Sequence, residues 1–345
     1  MRPIRSILVR VILPFFLVGV VAAGGLVIWI HGELDRPTVR SLQAPGTLRV
    51  PRGASLQFVC GTLADSGWIR HPRILSLWGA AHGIDRKIQV GRYRLGRGWS
   101  PREVIEQICA GRVEKILVTI PEGWREKQIL SVLADSLEVD RADLAAAARD
   151  TAWMRRIGLG NGRLEGYLFP ETYSFPKEYD PREALARMVR ESHRRFDEVM
   201  RRRAASLGFS RDQVVILASI IQAEAVLEAE MPRISGVFHN RLRRGWKLEA
   251  DPTVLYALDR FTGPVLHRDL EVESPYNTYW VVGFPPGAIG NPGSAALHAA
   301  LWPDSNRNEF YFVAKGNGEH RFSRTLAEHN RAKRRIRVST RGGRQ

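Results

Sequence analysis

The stretch that decides the fold is residues 212–225, DQVVILASIIQAEA. Asp212 is a good helix cap, and Val214, Val215, Ile216, Leu217, Ala218, Ile220 and Ile221 then place apolar groups on every side of a helix. A helix that is apolar all round is buried, so this one reads as the central helix of a core. Near its carboxyl end, Glu224 follows Ile221 and Leu217 at helical spacing and projects from their face. Apolar neighbours and the negative helix end both disfavour ionisation there and raise a carboxyl pKa. A carboxylic acid that stays protonated near neutral pH can protonate a glycosidic oxygen. The alternative is a helix that ends at Gln222, with Glu224 in water.

Working outward, residues 234–244 (ISGVFHNRLRR) read as an amphipathic helix closed by Gly245. Glu228 and Glu230, before it, are expected to pair with Arg233 or the basic surface. The segments 251–253, 274–279 and 283–293 are dense in Tyr, Asn and Thr beside Gly and Pro, which favours a groove that stacks on sugar rings and bonds their hydroxyl and N-acetyl groups. Upstream, a strand at 115–120, helices at 125–138 and 140–156, a loop at 161–176 and one long charged helix at 181–206 are expected.

A smaller α/β unit precedes these. Thr47–Val50 and Gly91–Leu95 read as strands. Ser55 caps a helix with Leu56, Val59, Cys60 and Leu63 on its inner face, a second helix covers 72–82, and Ser100-Pro101-Arg102-Glu103 is a capping box opening a helix to Cys109. Residues 31–45, with Pro37 and Pro45, read as a linker. Before it, Val11–Ile30 is a 20-residue run without charge, long enough to span a bilayer. Arg2, Arg5 and Arg10 precede the run and Glu33 and Asp35 follow it, so the amino terminus is expected in the cytoplasm and the rest outside. The alternative, a cleaved signal peptide, sits poorly with so long an apolar run, inside which Ala22-Ala23-Gly24 would be cut.

The 345 residues carry 52 Lys and Arg against 36 Asp and Glu, a net charge of +16. Such a balance suggests nucleic acid, but a chain whose bulk lies outside the membrane meets anionic lipid or wall polymer instead. Seven of the basic residues sit in the tail from Arg331, read either as a solvated, partly disordered end or as a polymer-binding segment. Cys60 and Cys109 are too few for a disulfide scaffold, and whether they pair stays open. No phosphate loop, HExxH or GxSxG motif occurs, so neither metal nor cofactor is expected.

The blocks LEGYLFPETYSFP (164–176), ASIIQAEA (218–225), VFHNRL (237–242), LEADPTVLYAL (248–258), SPYNTY (274–279), GFPPGAIGNPG (283–293) and YFVAKGNGEHRFSRTLAEHN (311–330) follow one another in an order that resembles the endolytic murein transglycosylase family, the MltG or YceG-like proteins. The similarity covers about 46–335, and residues 46–114 loosely resemble a LysM-like module. The implied fold is α+β: an anchor (1–30), a linker (31–45), a LysM-like α/β module (46–114), a mixed α+β catalytic domain around a buried central helix (115–335) and a basic tail (336–345). The implied activity is cleavage of the MurNAc–GlcNAc bond of nascent peptidoglycan, leaving 1,6-anhydro-MurNAc ends, by an inner-membrane enzyme whose catalytic domain is periplasmic. Glycan strands and the membrane are then the partners, with peptidoglycan synthases compatible and nucleic acid excluded. The resemblance assigns Glu224 as the catalytic acid, and Glu171, Gln222, Asn240, Asp251, Tyr276, Asn277, Thr278 and Asn291 to substrate binding or to shaping the groove. Gln222 stands where the family has a first acid, and that departure keeps a non-catalytic, wall-binding adaptor open as the alternative.

Overall fold

The computed structural model describes residues 3–51, 53–177, 179–304 and 308–342. Arg2 of the expected orientation signal and residues 343–345 of the basic tail lie outside the described residues. The chain forms two compact units. One comprises residues 1–116 with 176–178, and the other residues 117–175 with 179–345.

In the smaller unit α1 (Pro3–Asp35) is long and apolar enough to cross a membrane, and its side chains from Phe15 to Trp29 stand exposed. The expected linker is instead largely helical. α1 runs on to Asp35, and α2 (Val39–Gln43) follows because the Thr38 hydroxyl accepts the Ser41 N–H. Next come β1 (Gly46–Val50), α3 (Leu56–Asp65), α4 (Pro72–Ala81), β2 (Gly91–Leu95) and α5 (Pro101–Cys109). β1 and β2 pair antiparallel, with Leu48 opposite Tyr93. Ser55 caps α3 and the Ser100–Glu103 box caps α5, as expected. Leu48, Val59, Leu63, Tyr93, Val104 and Ile108 meet in its core. Cys60 and Cys109 are free thiols, and burial pushes the Cys60 thiol up to about 11.

The larger unit begins in β3 (Lys115–Thr119) and continues through α6 (Glu126–Leu137), α7 (Arg141–Ala147), α8 (Thr151–Arg156) and β4 (Thr172–Pro176), which pairs with β3. The helix expected at 140–156 is thus two, because Asp150 turns its side chain back to the Trp153 N–H and starts a new one. The long charged helix is also two, α9 (Pro181–Arg195) and α10 (Glu198–Ser206). Phe196 leaves the helix to bury its ring, and Asp197 caps the next.

α11 (Arg211–Glu224) is the core helix. Every residue from Val214 to Ile221 is buried, and the helix packs on α12 (Met231–Arg243), α13 (Asp251–Ala257) and α14 (Ser294–Leu301). Its cap is Ser210, reciprocally bonded with Gln213, and not Asp212. β5 (Tyr311–Ala314) and β6 (His320–Ser323) form an antiparallel hairpin with Ala314 opposite His320. α15 (Leu326–Gly342) packs on that hairpin, and the basic tail is helical as far as it is described.

Candidate active site

α11 ends at a cavity of about 420 Å³ in the larger unit. Its wall includes Glu224 at the end of α11, Arg241 from α12, Leu248, Glu249 and Asp251 at the start of α13, Tyr279, residues 311–314 of β5, His320, and His329 and Lys333 from α15. Glu224 is partly buried here, the helix carrying it as far as Ala225, whose N–H still bonds the Ile221 carbonyl. It does not simply point into water.

Burial pushes the Glu224 carboxyl up to about 8, and the negative charge of Asp251 adds to the push. The Asp251 backbone N–H and the Arg241 guanidinium pull the other way. Arg241 is buried, its charge shared among the Phe310 carbonyl at 2.8 Å, the Leu248 carbonyl at 2.8 Å and Glu249 Oε2 at 2.9 Å. Glu249 lies in left-handed backbone (φ +49°), a strained conformation for this residue type, and its N–H is held by the Thr278 carbonyl. The Tyr279 hydroxyl donates to Asp251 Oδ1 at 2.6 Å. Burial and the Asp251 charge push that phenol upward.

Of the residues singled out from the sequence, Glu224 and Asp251 share this cavity. Gln222 accepts the Gly293 N–H at 3.0 Å and so ties α11 to the start of α14. Asn277 and Thr278 are fully buried. The Asn277 amide donates to the Leu270 and Val272 carbonyls, and the Thr278 hydroxyl accepts the Ala250 N–H. Both shape the loop that carries Tyr279. Asn291 is also fully buried, its carbonyl accepting from Gly166 and Leu168 and its amide donating to Trp124 O and Glu165 Oε1. It pins three loops together beneath α11. Gly166 is required there, because φ is +91° and a Cβ would come within 2.7 Å of Val215.

The remaining positions lie off the cavity wall. Glu171 is exposed and paired with Arg195 at 2.7 Å. Asn240 donates to the Glu309 carbonyl and lines a separate cavity with His239 and Arg243. The Tyr276 hydroxyl accepts from Arg163, and its ring lies on Tyr256. Glu230, expected to pair with Arg233 or the basic surface, bonds His320 instead, while Arg233 pairs with Glu309.

Several residues here were not singled out beforehand: Arg241, Glu249, Tyr279, His320 and His329. All five sit inside quoted blocks, and the block density was the available signal. Glu165 was missed too. It accepts the Glu126 N–H and the Asn291 amide, and burial pushes its carboxyl up to about 8.

The model of the YceG-like family matches residues 48–335, most of the chain. The chain belongs to the YceG-like family. Among curated relatives it is similar to the endolytic murein transglycosylase of Bacillus subtilis, 30% identical over 321 residues that cover 88% of this chain and 89% of that one. The endolytic murein transglycosylase of Streptococcus pneumoniae is 25% identical over 327 residues, covering 83% of this chain but only 59% of its own length. A crystal structure of a YceG-like protein from Listeria monocytogenes superposes with a TM-score of 0.59 at 28% identity, covering 84% of this chain and 99% of that one.

Proposed function

We propose that this YceG-like chain is a membrane-anchored endolytic lytic transglycosylase, cleaving the MurNAc–GlcNAc bond of nascent peptidoglycan strands and so ending their elongation. The observation that carries the reading is Glu224, a carboxyl group on a cavity wall whose burial keeps it protonated to about pH 8. Glu224 gives its proton to the leaving GlcNAc oxygen as the C1–O bond breaks. The MurNAc 6-hydroxyl oxygen then bonds C1 and returns its proton to the Glu224 carboxylate. A 1,6-anhydro ring closes, no water is consumed, and the acid is restored for the next turn. One carboxyl suffices, unlike in two-carboxylate hydrolases. The relatives named as endolytic murein transglycosylases support the same reading.

In this reading α1 is a single-pass inner-membrane anchor with the amino terminus in the cytoplasm and the catalytic unit in the periplasm, supported by its apolar exposed surface. Residues 46–114 act as a LysM-like glycan-binding or spacing module, residues 115–335 as the catalytic domain and residues 336–345 as a basic tail. Peptidoglycan synthases are the macromolecular partners that a strand-terminating enzyme would meet. The rival reading, a non-catalytic adaptor, rests on Gln222. Its carbonyl is engaged by Gly293 and its side chain is absent from the cavity wall, which supports a bracing role. Incubating the full chain in detergent with uncrosslinked strands and following strand length by gel separates the two. The enzyme shortens strands, whereas the adaptor binds them and leaves their length unchanged.

A further inference from the structure

One wall of the Glu224 cavity plays no part in the proton transfers above. His320, the first residue of β6, lines it, with its ring edge-on to Phe312 at 5.4 Å between centroids and its side chain only 5% exposed. Nδ1 lies 2.8 Å from Glu230 Oε2, and both Glu230 oxygens also accept the His320 backbone N–H at 3.1 Å. A carboxylate only accepts hydrogen bonds, so Nδ1 carries the hydrogen, and in the neutral ring Nε2 is left as an acceptor. Among the described residues Nε2 has no hydrogen-bond partner. The ring is therefore held on one side and open on the other.

The neighbours say what it would accept from. Two strong donors on the wall are already engaged, Tyr279 by Asp251 and Arg241 by three backbone carbonyls and Glu249, while Lys333 adds a further cationic donor. Asp251 and Glu249 add negative charge. Arg241 and Lys333 offset that charge, and a lining that mixes acceptors and donors without a dominant sign suits a neutral ligand rich in O–H and N–H groups.

We propose that His320 Nε2, oriented by Glu230, accepts a hydrogen bond from a sugar hydroxyl or N-acetyl N–H of the glycan strand in the Glu224 cavity. This deepens, and rests on, the substrate reading given above. It makes His320 a substrate-binding residue and Glu230 a positioning residue that acts through it.

Two substitutions separate this role from a merely structural one. His320→Asn keeps an amide N–H where Nδ1 stood and deletes Nε2. His320→Gln puts an amide where Nε2 stood and gives up the Glu230 bond. Both are made in the full-length chain carrying Glu224→Gln, in detergent micelles, and binding of labelled uncrosslinked peptidoglycan strands is read by fluorescence anisotropy beside a melting curve. The expected result is about tenfold weaker binding for His320→Asn with an unchanged melt, and binding within about threefold of the parent for His320→Gln. A structural role predicts the reverse order. Parent-like binding by the Asn variant, or an equal or larger loss in the Gln variant, overturns the proposal. Cleavage by the unsubstituted chain is assayed in parallel. Its absence sinks the transglycosylase reading, while the binding order still decides the role of His320.

Discussion

Asp251 acts on Glu224 in two opposing ways: its backbone N–H bonds the Glu224 carboxyl group, while its side-chain charge repels the carboxylate. Tyr279 holds that charge in place at 2.6 Å. Together with burial, the repulsion outweighs the backbone bond, and Glu224 is pushed up to about 8.

The pH dependence follows from this. Glu224 acts as an acid only while protonated, so strand cleavage should fall as pH rises through about 8. Asp251→Asn removes the repelling charge and should move that alkaline limb to lower pH. Initial cleavage rates from about pH 6 to 10, in both proteins, check it. An unmoved limb in the variant would mean that Glu224 does not feel Asp251.

Stability should carry the same signature through Glu165. Its folded pKa of about 8 lies above the ordinary carboxyl value, so the folded protein keeps a proton that the unfolded chain releases. The contribution is fully present below the unfolded pKa and is lost as pH climbs from about 4.5 to about 8. Glu165→Gln, uncharged throughout, should flatten this decline in melting temperature. Parallel curves for wild type and variant would refute it.

Asn291→Ala should be among the most damaging substitutions outside the cavity. It strands the buried N–H groups of Gly166 and Leu168, each worth about 1–3 kcal/mol when left unpaired. Denaturant titration should show a loss on the order of 3 kcal/mol, and a change below about 1 kcal/mol would contradict the pinning role.

Gln222→Glu places a carboxylate where the resemblance implies a first acid. A carboxylate can still accept the Gly293 N–H, so the brace between α11 and α14 survives. The change should alter the cleavage rate by less than about tenfold, since Gln222 lies off the cavity wall. A gain of hundredfold would show that the missing acid matters to the reaction itself.

The core helix was readable from residues 214–221 because an all-round apolar pattern has one stable solution, burial. Helical spacing put Glu224 on the face of Leu217 and Ile221 but left open whether the helix reached it. The break at Phe196 was not readable, because alternating charges run through it and only the buried ring site decides where α9 stops. The cap of α11 was misread although Ser210 and Gln213 stand at capping-box spacing. Asn277, Thr278 and Asn291 read as binding sugar or shaping the groove, two roles the sequence could not separate because short polar side chains serve equally well to satisfy their own buried turns. The His320–Glu230 pair was out of reach of any local pattern, since the two stand 90 positions apart and meet only when β6 returns to the start of α12.

The most direct test is the mass of the strand ends. Wild-type protein and Glu224→Gln are incubated with uncrosslinked peptidoglycan strands, and the new ends are analysed by mass spectrometry. The account predicts new MurNAc ends lighter by one water than reducing MurNAc from the wild type, and a rate at least about a hundredfold lower from Glu224→Gln. Intact strands, reducing MurNAc ends, or undiminished cleavage by the variant would contradict it.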